Sequence, residues 1–269
     1  MFNRFFSVLG LVCRIPFHIR YTFDLSRADF FLPLIGIFPA LLGAGAYLAV
    51  QAVGTRMTAV LAGLAVQYLS FNLFHLDGLA DTADAFLGNF DREKRFAILK
   101  DSRIGVYGLF GVCGVLALKA SLLRDVLDLV SRNQVCLIPE IFAYPISGRL
   151  GAALIPGVTG PAKPDGLGVL LKGASPARAG AGALIALGIW DLLGRGLLST
   201  FYGGYFFGTK AFLFGLTVLA PPLVGVLVSL GIARMYRRHL GGYTGDALGA
   251  AVELGELAHL ASIFLLFSL

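Results

Sequence analysis

The sequence predicts an all-α, polytopic integral membrane protein: a helical bundle of about seven transmembrane helices, in the range six to eight, forming one membrane-embedded domain over residues 1–269. Three observations carry this. Of the 269 residues, 57% are hydrophobic and only 14% charged, where a soluble domain has about 25% charged residues. Mean hydropathy is +0.80. Apolar runs of roughly 20 residues, long enough to cross a hydrocarbon core, recur along the chain.

Taken in order, the chain opens with Phe2, Phe5, Phe6 and Leu9 beside Arg4 and Arg14, which suits an interfacial helix. No small-residue cleavage site follows this short apolar stretch, so a removable signal peptide is not expected. The spans read as Pro33–Val53, Met57–Phe74, Ile104–Leu123, Val135–Pro156, Ala179–Leu198, Ala211–Ala233 and Ala247–Phe267. Cys13, Cys113 and Cys136 lack metal-ligand spacing and read as small apolar residues. Glycines at 105, 108 and 111 and at 180 and 182 read as close helix packing without chemistry.

Charge alternates between the connections. The N-terminal segment holds Arg4, Arg14, Arg20 and Arg27, and the connection after the second span holds Arg92, Lys94, Arg95, Lys100 and Arg103. Two more connections, with Lys163, Lys172 and Arg178 and with Arg234, Arg237 and Arg238, bring that side to fifteen. The other side holds Arg56, Arg124, Arg132 and Lys210. By the positive-inside rule the fifteen-charge side is cytoplasmic. The net charge of +6 then reflects loops facing anionic lipid, and nucleic-acid binding is not expected.

The polar motifs fall on that side. His75-Leu-Asp77-Gly-Leu-Ala-Asp81-Thr-Ala-Asp84 opens a cytoplasmic acidic-motif loop over residues 76–103. Its aspartates stand at i, i+4 and i+7, so on a helix they share a face and repel. A hard divalent cation such as Mg²⁺ would turn that repulsion into attraction; a hydrated acidic helix start, with Asp77 near the N-cap, is the plainer alternative. His75 is placed to hydrogen-bond a phosphate or orient a carboxylate. In Lys100-Asp101-Ser-Arg103-Ile-Gly105, Asp101 can complete a carboxylate cluster and Arg103 clamp a phosphate, or both can be interfacial anchors.

The second constellation is Arg237-Arg238-His239-Leu-Gly241-Gly242-Tyr243-Thr244-Gly245-Asp246 before the last span. Glycines ahead of a helix N-terminus let backbone N–H groups meet an anion. Asp246, Gly249, Glu253 and Glu256 share a helix face, and acids at membrane depth cost about 2.5–3.5 kcal/mol each on insertion scales, so they face an interior or a water-filled cavity. Arg149, after the proline-interrupted Tyr144-Pro145-Ile-Ser147-Gly148, is a further site candidate, whereas Asp191 and Arg195 at i, i+4 read as a structural pair.

The acidic motif, the Lys100-to-Gly105 run and Gly241-Gly-Tyr-Thr-Gly-Asp246-Ala-Leu-Gly249-Ala-Ala-Val-Glu253-Leu-Gly-Glu256 closely resemble the cobalamin synthase family, the adenosylcobinamide-GDP ribazoletransferases. Phe31-Leu-Pro33-Leu-Ile-Gly36 and Pro164-Asp-Gly166-Leu-Gly168 resemble it too. Ala85 and Leu99 depart from the family's glycine and methionine without removing a polar group.

What the resemblance implies is an enzyme of the cytoplasmic (inner) membrane. It would join adenosylcobinamide-GDP to α-ribazole or its 5′-phosphate, releasing GMP, with Mg²⁺ as the metal. On that footing Asp77, Asp81 and Asp84 are the expected metal ligands, and Asp84 or Asp101 the expected proton acceptor. His75 and Arg103 complete the catalytic set. Arg149, Gly242, Thr244, Gly245, Asp246, Glu253 and Glu256 are the expected substrate-binding residues. Two rivals are weaker. An ion-coupled transporter would show related halves and a midplane site, and a CDP-alcohol phosphotransferase would carry arginine where Asp81 stands.

Overall fold

In the computed structural model, which describes residues 1–133, 138–165, 167–171, 173–202 and 211–268, the chain is helical almost throughout. Cys136, Gly166, Lys172, Lys210 and the start of the span expected at Val135 lie outside the described residues. The helices are α1 (Phe2–Val12), α2 (Ala28–Ile35), α3 (Ile37–Gln51), α4 (Arg56–Gln67), α5 (Leu73–Phe86), α6 (Arg92–Ile98) and α7 (Val106–Asn133). They continue with α8 (Ile138–Ile141), α9 (Tyr144–Val158), α10 (Leu167–Leu170), α11 (Pro176–Tyr202), α12 (Ala211–Leu240) and α13 (Gly245–Ser268). A π-helical turn, Tyr68–Asn72, joins α4 to α5. Among the described residues the only β pairing is an isolated bridge between Pro161 and Tyr243.

Seven segments are long and apolar enough to cross a membrane: Ala28–Gln51, Arg56–Phe86, Val106–Val130, Ile138–Val158, Pro176–Leu197, Thr217–Leu240 and Gly245–Ser268. Leu61, Leu69, Phe110, Leu184, Leu192, Leu223 and Leu227 are exposed on them, as a lipid-facing surface requires. The second span differs from the sequence expectation. It runs through the acidic motif to Phe86, because the π turn carries the helix past Phe74 without a break. The aspartates therefore stand on a helix end, and the connection begins only at Leu87.

Local chemistry sets the boundaries. Thr55 caps α4 through a reciprocal capping box with Thr58, and Asp91 caps α6 by accepting from Lys94 N. Asp29 in the first turn of α2 accepts from Ser175 N at 2.6 Å and Arg178 Nε at 2.8 Å, tying α2 to the start of α11. The short connection 52–55 makes α3 and α4 an antiparallel hairpin. Val8 and Val12 of α1 pack with Phe31, Ile35 and Phe71. At the centre lies α13, in contact with α5, α7, α9 and α12.

Candidate active site

Two groups of acidic residues occupy the seam between the second span and α13. The deeper one surrounds the π turn. Glu253 accepts from Tyr68 Oη and Lys119 Nζ, each at 2.6 Å, and from Asn72 Nδ2 at 3.2 Å. Glu256 accepts from Lys119 Nζ at 2.8 Å, Asn72 Nδ2 at 3.0 Å, Gln67 Nε2 at 3.1 Å and Arg149 Nη1 at 3.2 Å. Arg149 Nη2 donates to Asn72 Oδ1 at 2.8 Å, and Tyr144 Oη donates to Gln67 Oε1. Lys119, Arg149, Glu253 and Glu256 have side chains 0% exposed. Two cations face two carboxylates, so the group is neutral as a whole. Arg149, Glu253 and Glu256 are expected from the sequence to bind substrate; the structure instead gives them partners inside the protein and no accessible surface. At membrane depth an ionised group needs such partners.

The shallower group stands where α5 and α13 come closest, at Gly78 and Gly249. A Cβ on Gly249 would lie 2.8 Å from the His75 carbonyl oxygen and 3.1 Å from the Gly78 Cα, so only glycine lets the backbones approach this far. The approach brings Asp246 within electrostatic reach of Asp81, which already has Asp77 and Asp84 of its own helix nearby. Asp77 is exposed; Asp81 and Asp246 are half-buried. Neither Asp77 nor Asp81 has a hydrogen-bond or ion-pair partner among the described residues. Asp81 sits in the C-terminal half of α5, toward the negative end of the helix dipole. Asp246 lies in the first turn of α13, where the dipole favours its charge.

Asp84 is the exception on α5. It accepts from Gly105 N at 2.7 Å and Gly108 N at 2.9 Å, capping α7 from a neighbouring helix. The small residues at 105 and 108 serve that contact, since a Cβ at either would collide with the carboxylate. Asp101 is held by Arg103, whose Nε and Nη2 donate at 2.9 Å and 2.6 Å. Hydrogen bonds from the Arg103 guanidinium and backbone hold the Asp101 carboxyl at about 2. Asp84, Asp101 and Arg103 border one cavity of about 530 Å³ with Phe90 and Tyr107.

The glycine turn is clasped. Gly241 has φ +83° and ends α12, while Gly242 packs on the backbone of residues 160–162. Ala162 N donates to Tyr243 O at 2.8 Å and Tyr243 N to Gly160 O at 2.9 Å. Burial pushes the Tyr243 hydroxyl up to about 12, and it donates to Gly168 O. Gly242 thus serves packing where the sequence suggests anion contact. Thr244 Oγ1 donates to Asp246 Oδ2 at 3.0 Å, and Gly245 opens α13 facing free space. His75 is buried with Nδ1 unpartnered, within electrostatic reach of Arg149 and Lys119.

Two contributors escape sequence reasoning. Lys163, in the connection over residues 159–165, stacks on Phe96 at 4.6 Å and reaches Asp246 electrostatically. A lone lysine in Pro161-Ala-Lys163-Pro-Asp165 is the only sequence signal for it. Thr82 donates to Gly78 O at 2.6 Å and lies 2.8 Å from Tyr236 Oη, which ties α5 to α12. Among the described residues, no three His, Cys, Asp or Glu side chains stand close enough to hold a metal ion unaided. The open face therefore offers separated hard oxygen donors backed by cations at its rim.

The sequence profile of the cobalamin-5-phosphate synthase family matches residues 4–264. A protein of Clostridioides difficile named adenosylcobinamide-GDP ribazoletransferase is 32% identical over 274 aligned residues, covering 98% of each chain. A Klebsiella pneumoniae protein of the same name is 31% identical over 98% of this chain and all of its own. One from Leptothrix cholodnii is 38% identical over 69% of this chain and 64% of its own. No solved structure matches. With its profile matched from the first helix to the last, the chain belongs to the cobalamin-5-phosphate synthase family.

Proposed function

We propose that this protein joins adenosylcobinamide-GDP to α-ribazole or α-ribazole 5′-phosphate, releasing GMP, at the cytoplasmic face of the inner membrane. The observation that carries the reading is the carboxylate face of Asp77, Asp81 and Asp246, in which Asp77 and Asp81 have no partner among the described residues and Lys163 reaches Asp246 electrostatically. The names of the relatives supply the substrates. Asp77, with Asp246 opposite, would hold Mg²⁺, with water and substrate oxygens completing the shell, as suits an ion that sheds water reluctantly. That ion would neutralise the pyrophosphate and the departing GMP.

The remaining work falls to positioning and proton transfer. The ribazole hydroxyl attacks the cobinamide-side phosphorus, forming one O–P bond as the bond to the bridging oxygen breaks; GMP leaves with that electron pair. Asp81 accepts the hydroxyl proton. Of the carboxylates, Asp84 is engaged by two backbone N–H groups and Asp101 by Arg103, whereas Asp81 has no partner among the described residues and is free to accept. Arg103, 86% exposed, and Lys163 steady phosphate oxygens.

The test is GMP release by the purified protein in bilayer discs with Mg²⁺, adenosylcobinamide-GDP and α-ribazole. Turnover is expected to vanish on chelation and to fall about 10²–10⁴-fold in Asp81→Asn. Full turnover in that variant, or no GMP from the wild type, defeats the proposal. Orientation is tested by a reporter fused after Phe90, expected inside the cell; an external signal reverses the assignment.

A further inference from the structure

We propose that the cytoplasmic end of α12 carries a binding site for the phosphate headgroup of an anionic phospholipid. Arg234, Arg237 and Arg238 border a cavity of about 600 Å³, large enough for a headgroup. Its other walls are Val158, Leu230 and Ala233, with the Thr159 hydroxyl among them. All three arginines are exposed, and none has an ion-pair partner among the described residues. They stand in the last turns of the apolar segment Thr217–Leu240, the depth at which a bilayer places its phosphates.

The site is distinct from the carboxylate face. On α12 the opposite flank carries Tyr236, which meets Thr82, and both Tyr236 and His239 meet Phe86, at 4.5 Å and 5.9 Å between rings. The helix itself separates the arginines from α5. Charge and shape agree on the occupant. Guanidinium groups bind phosphate oxygens in pairs, and basic pockets between transmembrane helices take anionic headgroups. The apolar walls continue toward the bilayer and suit the first carbons of an acyl chain, which a free phosphate would leave uncovered. A lipid held here would fix the end of the helix that presents Tyr236 and the Gly241 turn to the site.

The test uses full-length protein in discs of equal parts phosphatidylcholine and phosphatidylglycerol, with the lipids that survive extraction weighed by native mass spectrometry. Wild type is expected to retain phosphatidylglycerol selectively. Retention should fall about fivefold for each arginine lost, hence about a hundredfold in R234Q/R237Q/R238Q. The variant R20Q/K94Q/K100Q removes the same charge elsewhere on this face and should retain the lipid. Leu230→Trp, which fills the apolar wall and keeps every charge, should lose it even if the triple variant fails to fold. Equal retention of both lipids, equal loss in the control variant, or displacement by inorganic phosphate alone overturns the proposal.

Discussion

At mid-depth, Glu253 and Glu256 of α13 meet Lys119 and Arg149 with every carboxylate oxygen bonded and no solvent access. Toward the start of the same helix, Asp246 meets Asp81 and Asp77 of α5, and those two have no partner among the described residues. The helices are the same and the residue types nearly so. What differs is whether protein cations answer the carboxylates. Where buried cations pair with them, the acids lock the bundle; Asp77 and Asp81 have no such pairing, and only Lys163 reaches Asp246.

That contrast breaks most severely in Lys119→Met. Removing one cation from the deep group leaves a buried negative charge, which costs about 3–5 kcal/mol. Thermal melting in bilayer discs should show a large fall. A melt within a degree of wild type would mean that the deep group does not hold the fold.

Gly249→Ala comes next, at about 1–3 kcal/mol for an overpacked contact. The new methyl must push α13 away from the His75 carbonyl, separating Asp246 from Asp81. Both stability and GMP release should drop together. Loss of neither would show that the close approach does not set the shallow cluster.

Asp81→Asn should change stability least. It relieves repulsion among like charges and should leave the melt unchanged or slightly raised, while turnover collapses as described above. A melt falling as far as that of Lys119→Met would erase the distinction between the two clusters.

The spans and the acid motif were legible in the sequence because twenty-residue apolar runs and i, i+4, i+7 spacing are local signals. Partnership is not local. Nothing near Glu253 in the chain announces Lys119, 134 residues away, so the sequence does not show that Glu253 and Glu256 are buried and paired inside the protein. The partners of Asp84 are equally hidden, since they are backbone groups 21 and 24 residues on. The extension of the second span to Phe86 was hidden because a motif this polar ends any hydropathy window, whereas the backbone continues through the π turn at Tyr68–Asn72.

The length of that second helix has one further consequence. Its 31 residues measure roughly 46 Å at 1.5 Å per residue, against about 30 Å of hydrocarbon. Starting from Arg56 at one boundary, the chain leaves the oily layer near Asp77, and the rest of α5 stands in the headgroup zone. The carboxylates are thus held on a post rising out of the membrane. Under the proposed function, a bulky, water-soluble corrinoid would reach them by settling on the surface, without entering the bilayer at all.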